Sequence, residues 1–164
     1  PDPMSRQDAP WIVGWREYLD LPDLGLTRIK AKVDTGARTS TLHALDIEHF
    51  REDGRERVRF LVHPQHRADD LEVICTADVV DRRGVRSSIG HRQHRVVIET
   101  TLALSAELAW PIEVTLTSRS DMRFRMLLGR TALRGHMLVD PGRSYLTGGR
   151  PSRIDAARRR KRTG

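Results

Sequence analysis

Cysteine and long hydrophobic runs are what this chain of 164 residues lacks most clearly. Cys75 stands alone, so no disulfide can form within the chain, and a reducing cytoplasm is the expected location. The run EVICTADVV predicts that this cysteine is a small buried side chain rather than a reactive thiol. The sequence contains no apolar stretch of about 18 residues or more, and no charged-then-apolar leader follows Met4. A membrane span or a secretory signal is therefore not expected.

The positive charge is concentrated at one end of the chain. Seven arginines and lysines against Asp155 give residues 150–164 a charge of +6, which leaves +1 of the total +7 for residues 1–149. We interpret 150–164 as a basic, disordered tail and residues 1–3 as a cloning remnant, with one domain over 4–149. Aromatic residues make up only 5% of the chain, and no nucleic-acid-binding motif occurs. We therefore expect no specific nucleic-acid partner and no membrane partner.

Alternation of apolar and polar residues is the dominant pattern, and it predicts β-strands. The alternating runs lie at 29–33, 42–45, 58–62, 73–79, 95–104 and 112–116, with Pro111 expected near the start of the last. Turns are predicted at the pairs Asp53-Gly54, His63-Pro64, Arg83-Gly84 and Pro141-Gly142. One short helix is predicted from Arg130 to Arg134, ended by Gly135. The predicted fold is all-β, a small closed barrel with one short helix near its C-terminal end.

Asp34 raises the first question about chemistry, because an alternating strand runs directly into Asp34-Thr35-Gly36. One interpretation is a simple turn, in which the aspartate accepts local backbone bonds and the glycine adopts a left-handed conformation. A second element favours a functional carboxylate. Residues 126–130, MLLGR, form an apolar run that ends in Gly-Arg just before the predicted helix.

These two motifs resemble those of the retropepsin-type aspartic proteases. The segments KVDTGARTSTLHA, RSSIGHRQHRVVIETTLAL, WPIEVTLTSRSDMRFRMLLGRTAL and LVDPGRSYL also resemble, in that order, a bacterial RimB-like family of retropepsin-like proteins. That family is often labelled "ATP-dependent zinc protease" and is associated with ATP-grasp ligases that add glutamates to a ribosomal protein. The resemblance covers most of residues 28–147. It implies an aspartic endopeptidase that cleaves a peptide or a modified protein tail with an activated water, and an ATP-grasp ligase as a candidate partner.

The resemblance also implies a role for individual residues. Asp34 would be the only catalytic residue of each chain, so two copies must meet as a homodimer for their carboxylates to share a proton. Thr35 would bond across the dimer, Gly36 would let its backbone approach substrate, and Gly129 would let its strand pass close to the aspartate. Ala37 completes the loop. A flap is expected at residues 86–94, which makes Ser88 and Gly90 candidate substrate contacts.

Two departures from the retroviral pattern limit what can be transferred. Asp34 and Gly129 are 95 positions apart, about the length of a whole retroviral protomer, so extra strands or a larger flap must lie between them. Retroviral enzymes carry an acid four residues after the aspartate, paired with the arginine of Gly-Arg, whereas Arg38 stands here. Arg38 is predicted either to favour an ionised Asp34, or to bind an acidic substrate side chain, or simply to be an exposed arginine beside a turn.

The histidines do not form a recognisable metal motif. The chain has seven of them but no His-Glu-x-x-His, and His91 and His94 would point to opposite faces of a strand. We therefore predict no metal and no cofactor, with His43 the histidine expected nearest the cleft. A non-catalytic binding or regulatory module of an ATP-grasp ligase and a zinc-dependent hydrolase remain the alternatives. Because no phosphate-cradling Gly-x-x-x-x-Gly-Lys motif occurs, any ATP dependence would belong to a partner.

Overall fold

Strands account for most of the structure, a computed structural model that describes residues 10–64, 71–86, 90, 92–118 and 123–147. Within these ranges there are eleven strands, one 3-10 turn at Pro22–Leu24 and one short helix, α1, at Arg130–Leu133. The strands are β1 Trp11–Val13, β2 Arg16–Leu21, β3 Leu26–Asp34, β4 Ser40–His43, β5 Leu45–Glu52, β6 Arg55–Val62, β7 Val73–Arg86, β8 Arg92–Ser105, β9 Leu108–Thr117, β10 Met126–Gly129 and β11 Met137–Val139.

Six of the strands close on themselves into a barrel, in the order β2-β3-β10-β4-β9-β8, and β2 then pairs with β8. The closing contact is short, since it joins Asp20 and Ala103, and it is reinforced where the Asp23 carboxylate accepts a 2.9 Å hydrogen bond from the Thr101 amide. Strands β7, β6 and β5 extend the sheet outward from β8, while β1 and β11 form a separate parallel pair. The predicted all-β closed barrel is confirmed.

The inward side chains of these strands form one apolar core. Phe60, Leu19, Ile29, Leu102, Met126 and Leu128 are among the residues that are essentially inaccessible to solvent. Cys75 is buried as predicted, and burial raises the pKa of its thiol to about 11. Its sulfur donates to the Leu24 carbonyl at 3.4 Å. The thiol therefore behaves as a packed core group rather than as a nucleophile.

Two of the four predicted turns are confirmed, and one is wrong. Turns are present at Asp53-Gly54 and Pro141-Gly142, residues 63–64 follow the end of β6, and Gly135 (φ +80°) follows α1. The predicted turn at Arg83-Gly84 is wrong, because β7 continues through it. Gly84 pairs there with His94 of β8, and this long-range pairing overrides the local turn preference. Strand β9 also begins before Pro111. Its missing amide costs no ladder bond, because its partner Thr101 in β8 donates its own amide to the Asp23 carboxylate and β4 pairs only with residues 114–117.

Candidate active site

Asp34 lies where three strands meet. It is the last residue of β3, and β10 is inserted between β3 and β4, parallel to one and antiparallel to the other. In this register Gly129, the last residue of β10, stands opposite Asp34. The two motifs that are 95 positions apart in the sequence are therefore neighbours in the sheet.

The loop after Asp34 is a tight turn, and the Asp34 carboxylate is hydrogen-bonded within it. The Gly36 amide donates to Asp34 Oδ1 at 3.1 Å, and the Ala37 amide donates to the Asp34 carbonyl at 3.2 Å. A Cβ at position 36 would lie 3.2 Å from the same Oδ1, which is tighter than an ordinary contact. The Asp34 side chain is partly exposed, whereas Thr35 and Gly36 are exposed. The geometry thus leaves the carboxylate fixed but accessible.

A glycine is required at position 129 because β10 passes very close to the backbone that leads from the Asp34 loop into β4. A Cβ at this position would lie 2.6 Å from the Thr39 carbonyl carbon and 2.9 Å from the Ser40 nitrogen. The Gly129 amide donates to the buried Ser40 hydroxyl at 3.0 Å. The prediction that this glycine permits a close approach is therefore refined, because the crowded neighbour is the Thr39–Ser40 backbone rather than the aspartate side chain.

The first residues of α1 donate hydrogen bonds to the backbone of the Asp34 loop. Arg130 donates its amide to the Ala37 carbonyl at 2.8 Å, and its guanidinium lies 3.2 Å from the Gly36 carbonyl and 3.5 Å from the Thr35 carbonyl. The Thr131 amide and hydroxyl both donate to the Arg38 carbonyl, at 3.1 and 2.8 Å. The Arg130 guanidinium thus bonds to backbone carbonyls of the Asp34 loop, whereas the corresponding arginine of the retroviral pattern pairs with an acidic side chain.

A surface groove of about 360 Å³ adjoins the loop. Its lining includes Arg38 and Thr131 on the loop side, and Arg83 and Glu113 on the β7 and β9 side. Arg83 is committed to an ion pair, since its guanidinium lies 2.7 Å from the Glu113 carboxylate, and this hydrogen bond is the main cause that raises the pKa of Arg83. Arg38 is exposed and makes no ion pair with any residue that the structure describes.

The remaining predicted site residues are not shown to contact the Asp34 loop. Gly90 is exposed, with φ +83°, and lies between the ends of β7 and β8, whereas Ser88 falls outside the described residues. His43 is only 4% exposed and lies at the far end of β4 from Ser40, so the structure does not bring it to the loop. Among the described residues, no three His, Cys, Asp or Glu side chains come together in a group that could hold a metal ion. No helix in the same ranges is long and apolar enough to cross a membrane.

Sequence reasoning missed three supports of the loop: Ser40, Thr131 and the side-chain bonds of Arg130. A signal was present for two of them, because Thr131 directly follows MLLGR and Ser40 lies three residues after Ala37, and both are hydroxyl residues. Hydroxyls at such positions commonly bond nearby backbone groups. The exact partners depend on how β10 is inserted, which no local pattern reveals.

Comparison with known proteins places this site in context. A family model for the retropepsin-like aspartic endopeptidase RimB matches residues 12–149. A protein of Shewanella pealeana named probable alpha-L-glutamate ligase is 43% identical over 141 residues, which are 86% of this chain and 31% of that protein. A Parasynechococcus marenigrum protein of the same name is 46% identical over 137 residues, 84% of this chain and 29% of that protein. The chain thus spans less than a third of the length of these curated relatives.

A solved structure shows a similar fold. The crystal structure of a Legionella pneumophila protein of unknown function matches with a TM-score of 0.70 and 29% sequence identity. The match covers 85% of this chain and 99% of that one. The barrel therefore has a fold that is shared with that protein over almost its whole chain.

Proposed function

The chain belongs to the RimB-like family of retropepsin-like aspartic endopeptidases, and we propose that it is itself an aspartic endopeptidase whose catalytic group is Asp34. The observation that carries this proposal is the Asp34 loop. Its carboxylate is partly exposed at the end of β3, bonded by the Gly36 amide and backed by the Gly129 crossing. A carboxylate that served only to make a turn would not need the additional support from Arg130 and Thr131.

The mechanism requires a second copy of the chain. One Asp-Thr-Gly loop supplies one carboxylate, and two such groups about 3 Å apart share a single proton because they cannot both ionise. The ionised member takes a proton from water while the protonated member polarises the peptide carbonyl. The exposed loop face formed by Asp34, Thr35 and Gly36 is the surface through which we propose that the dimer forms.

The groove beside the loop gives the proposal a substrate class. Arg38 is exposed at its edge without an ion-pair partner among the described residues, and a guanidinium binds carboxylates well. We propose that a peptide or a modified protein tail, with an acidic side chain near the cleaved bond, binds there. The hairpin of β7 and β8 rises from the other side of the same groove and is the proposed flap.

A second candidate function rests on the names of the relatives. Both of the relatives described above are named probable alpha-L-glutamate ligase, and in each the matching region is under a third of the protein. A domain carried within a ligase chain could serve it as a binding or regulatory module without any turnover. In that case Asp34 would be dispensable for the function, whereas the endopeptidase proposal makes it essential.

Replacement of Asp34 by Asn separates these functions. Asparagine keeps the shape and can accept the same Gly36 bond, but it cannot take a proton from water, so cleavage of an acidic peptide library should fall by at least about a hundredfold. Asp53→Asn, in the exposed turn between β5 and β6, is the matched control and should leave cleavage unchanged. Stability should change by less than about 1 kcal/mol in both variants.

Addition of a chelator tests whether cleavage depends on a metal ion. Wild-type cleavage should survive chelation, because the dyad uses no metal ligand. Cleavage that persists in Asp34→Asn and disappears with chelator would replace this proposal by a zinc-dependent hydrolase. A wild-type protein that cleaves no member of the library, at concentrations where it is dimeric, would favour the binding module.

A further inference from the structure

Half of the aromatic residues of this chain are gathered on one outer face of the barrel, where cations lie between and beside two pairs of rings. Tyr18 and Tyr145 stack at 4.7 Å between ring centroids, and the Arg16 guanidinium lies 4.9 Å from the Tyr145 ring and 4.6 Å from the Trp15 ring. Trp15 meets Phe124 edge-on at 6.0 Å. A cation covers each end of the row. In order, this stacked face consists of Arg28, Tyr18, Tyr145, Arg16, Trp15, Phe124 and Lys30.

The backbone is strained at two positions to build this face. Arg28 and Tyr145 have φ of +52° and +56°, a left-handed conformation that bulky side chains rarely adopt. Local bonds hold both of them there. The Arg28 amide donates to the Asp20 carboxylate at 2.8 Å, and the Tyr145 amide donates to the Arg16 carbonyl at 2.9 Å. Strain that the surrounding structure holds in place is typical of functional surfaces.

The cations of this face form no ion pair with any residue that the structure describes. Within the described ranges, no ion pair involves Arg16, Arg28, Lys30 or the exposed Lys32, and the sheet register even places Arg16 opposite Lys32. Like charges directly opposite each other destabilise a sheet. Four arginines of β6 and β7 behave differently, because they pair with acids: Arg55 and Arg57 with Asp78, Arg82 with Glu56, and Arg83 with Asp81.

We propose that the stacked face, together with Lys32, is a binding surface for an acidic polypeptide segment. The ring contacts fix the guanidinium of Arg16, which also donates its Nε proton to the Ser144 hydroxyl at 3.0 Å, so its outer N–H groups are already oriented. Such a planar donor group binds carboxylates in pairs of hydrogen bonds. Aromatic residues and arginine are also the residue types enriched in protein interfaces.

The rings themselves favour a polypeptide over a single-stranded nucleic acid. Proteins that bind single strands offer open aromatic faces on which bases stack. Here Tyr145 lies between Tyr18 and Arg16, and Tyr18 lies between Tyr145 and Arg28, so the chain itself occupies these faces. The relatives favour protein as the neighbour, since the region that matches this domain is 31% of the Shewanella pealeana chain and is joined there to the rest of that polypeptide. The proposal does not depend on catalysis by Asp34.

The test measures binding of a short labelled peptide in which Asp and Ser alternate, with the same peptide carrying Asn for Asp as the control probe. The protein is the full chain with Asp34→Asn, so that cleavage cannot confuse the result. We expect the acidic peptide to bind and the Asn peptide not to bind at about 0.15 M salt. Arg16→Glu and Lys32→Glu should each weaken binding by about tenfold or more. Lys32 is exposed outside the stack, so its replacement should not disturb folding.

Two matched variants and one further probe decide between the outcomes. Arg51→Glu, at an exposed position of β5, should leave binding unchanged. Arg38→Glu removes the proposed acidic-peptide contact of the groove and should leave in place the binding that depends on Arg16 and Lys32. Loss of binding in Arg38→Glu but not in Lys32→Glu would place the peptide in the groove beside Asp34 and overturn the proposal. Binding that is insensitive to both Arg16→Glu and Lys32→Glu, or absent up to about 1 mM peptide, would also overturn it. A short oligouridylate that binds more tightly than the peptide, with the same dependence on Arg16, would assign the face to nucleic acid instead.

Discussion

Two carboxylates on adjacent strands, Glu17 in β2 and Asp34 at the end of β3, show opposite ways of holding an acid. Glu17 is fully buried, and its oxygens accept bonds from the amides of Gly14, Leu146 and Thr147 at 2.6 to 2.9 Å and from the Thr147 hydroxyl at 3.0 Å. Asp34 is partly exposed, and its carboxylate accepts one bond from the described chain, from Gly36. The oxygens of Glu17 are fully occupied by hydrogen bonds, whereas those of Asp34 remain largely free to accept a proton or bind water.

The comparison separates a structural carboxylate from a candidate catalytic one. Glu17 joins residues 14 and 146–147, so it ties the start of the barrel to the segment after β11. That segment lies against β2, because the Tyr145 amide donates to the Arg16 carbonyl. Next to it, the Val33 amide donates to the Trp15 carbonyl at 2.8 Å, one residue before Asp34. The buried Glu17 therefore stabilises the position of β2, which is bonded to the strand that ends in Asp34.

The largest expected effect on stability is that of Glu17→Ala. The substitution leaves three amides without an acceptor in the interior, so the free energy of unfolding should fall by about 3–5 kcal/mol. Glu17→Gln retains one oxygen and should lose less. Urea denaturation followed by fluorescence measures both. A loss below about 1 kcal/mol in Glu17→Ala would mean that the buried network is not a stabilising tie.

Gly129→Ala should have the next largest effect and should affect both stability and cleavage. The new Cβ would lie 2.6 Å from the Thr39 carbonyl carbon, so the backbone must shift at the loop that holds Asp34. We expect a loss of about 2–3 kcal/mol, together with reduced cleavage. The control is Gly84→Ala, where nothing lies within 4 Å of the added atom and the strand should be as stable or slightly more so. Equal stabilities of the two variants would show that the crossing at Gly129 is not tight.

Arg130→Met should change stability least while still lowering activity. Its guanidinium bonds to the Gly36 and Thr35 carbonyls are exposed, so removing them should cost about 1 kcal/mol or less. The loop would nevertheless lose a support beside Asp34, and misplaced catalytic groups react more slowly, so we expect cleavage to fall by about tenfold. Arg134→Met, just after α1, is the matched control. Cleavage that is equally affected in both variants would remove Arg130 from the site.

The sequence reveals most of this fold because its strands follow local rules. Alternation in 29–33 and 73–79 marks inward faces that the structure confirms at Ile29, Ala31, Val33, Cys75 and Ala77. The same alternation in REYLDL places Glu17 inward with Leu19 and Leu21, so a signal for the buried acid was present but not used. Gly84 misled the prediction, because a glycine within a strand and a glycine within a turn look alike until the partner strand is known.

What the sequence could not reveal are the contacts between distant segments. The insertion of β10 between β3 and β4 was implied only by the resemblance to a known family, and the bonds of Glu17 to residues 146–147 span about 130 positions. The stacked face likewise draws on three separate segments of the chain, around residues 15–30, 124 and 145. Local patterns specify which side of a strand is buried, but not which remote segment covers it.

The central claim is that two Asp34 carboxylates, one from each of two chains, form a single site, and mixing two forms of the chain tests it most directly. Wild-type protein at fixed concentration is titrated with an excess of Asp34→Asn, and cleavage is measured at each ratio. If a dimer shares the site, mixed dimers carry one aspartate and are inactive, so activity should fall steadily as the variant is added and should approach zero at large excess. Activity that stays constant throughout the titration, with sedimentation showing that mixed dimers have formed, would contradict the account.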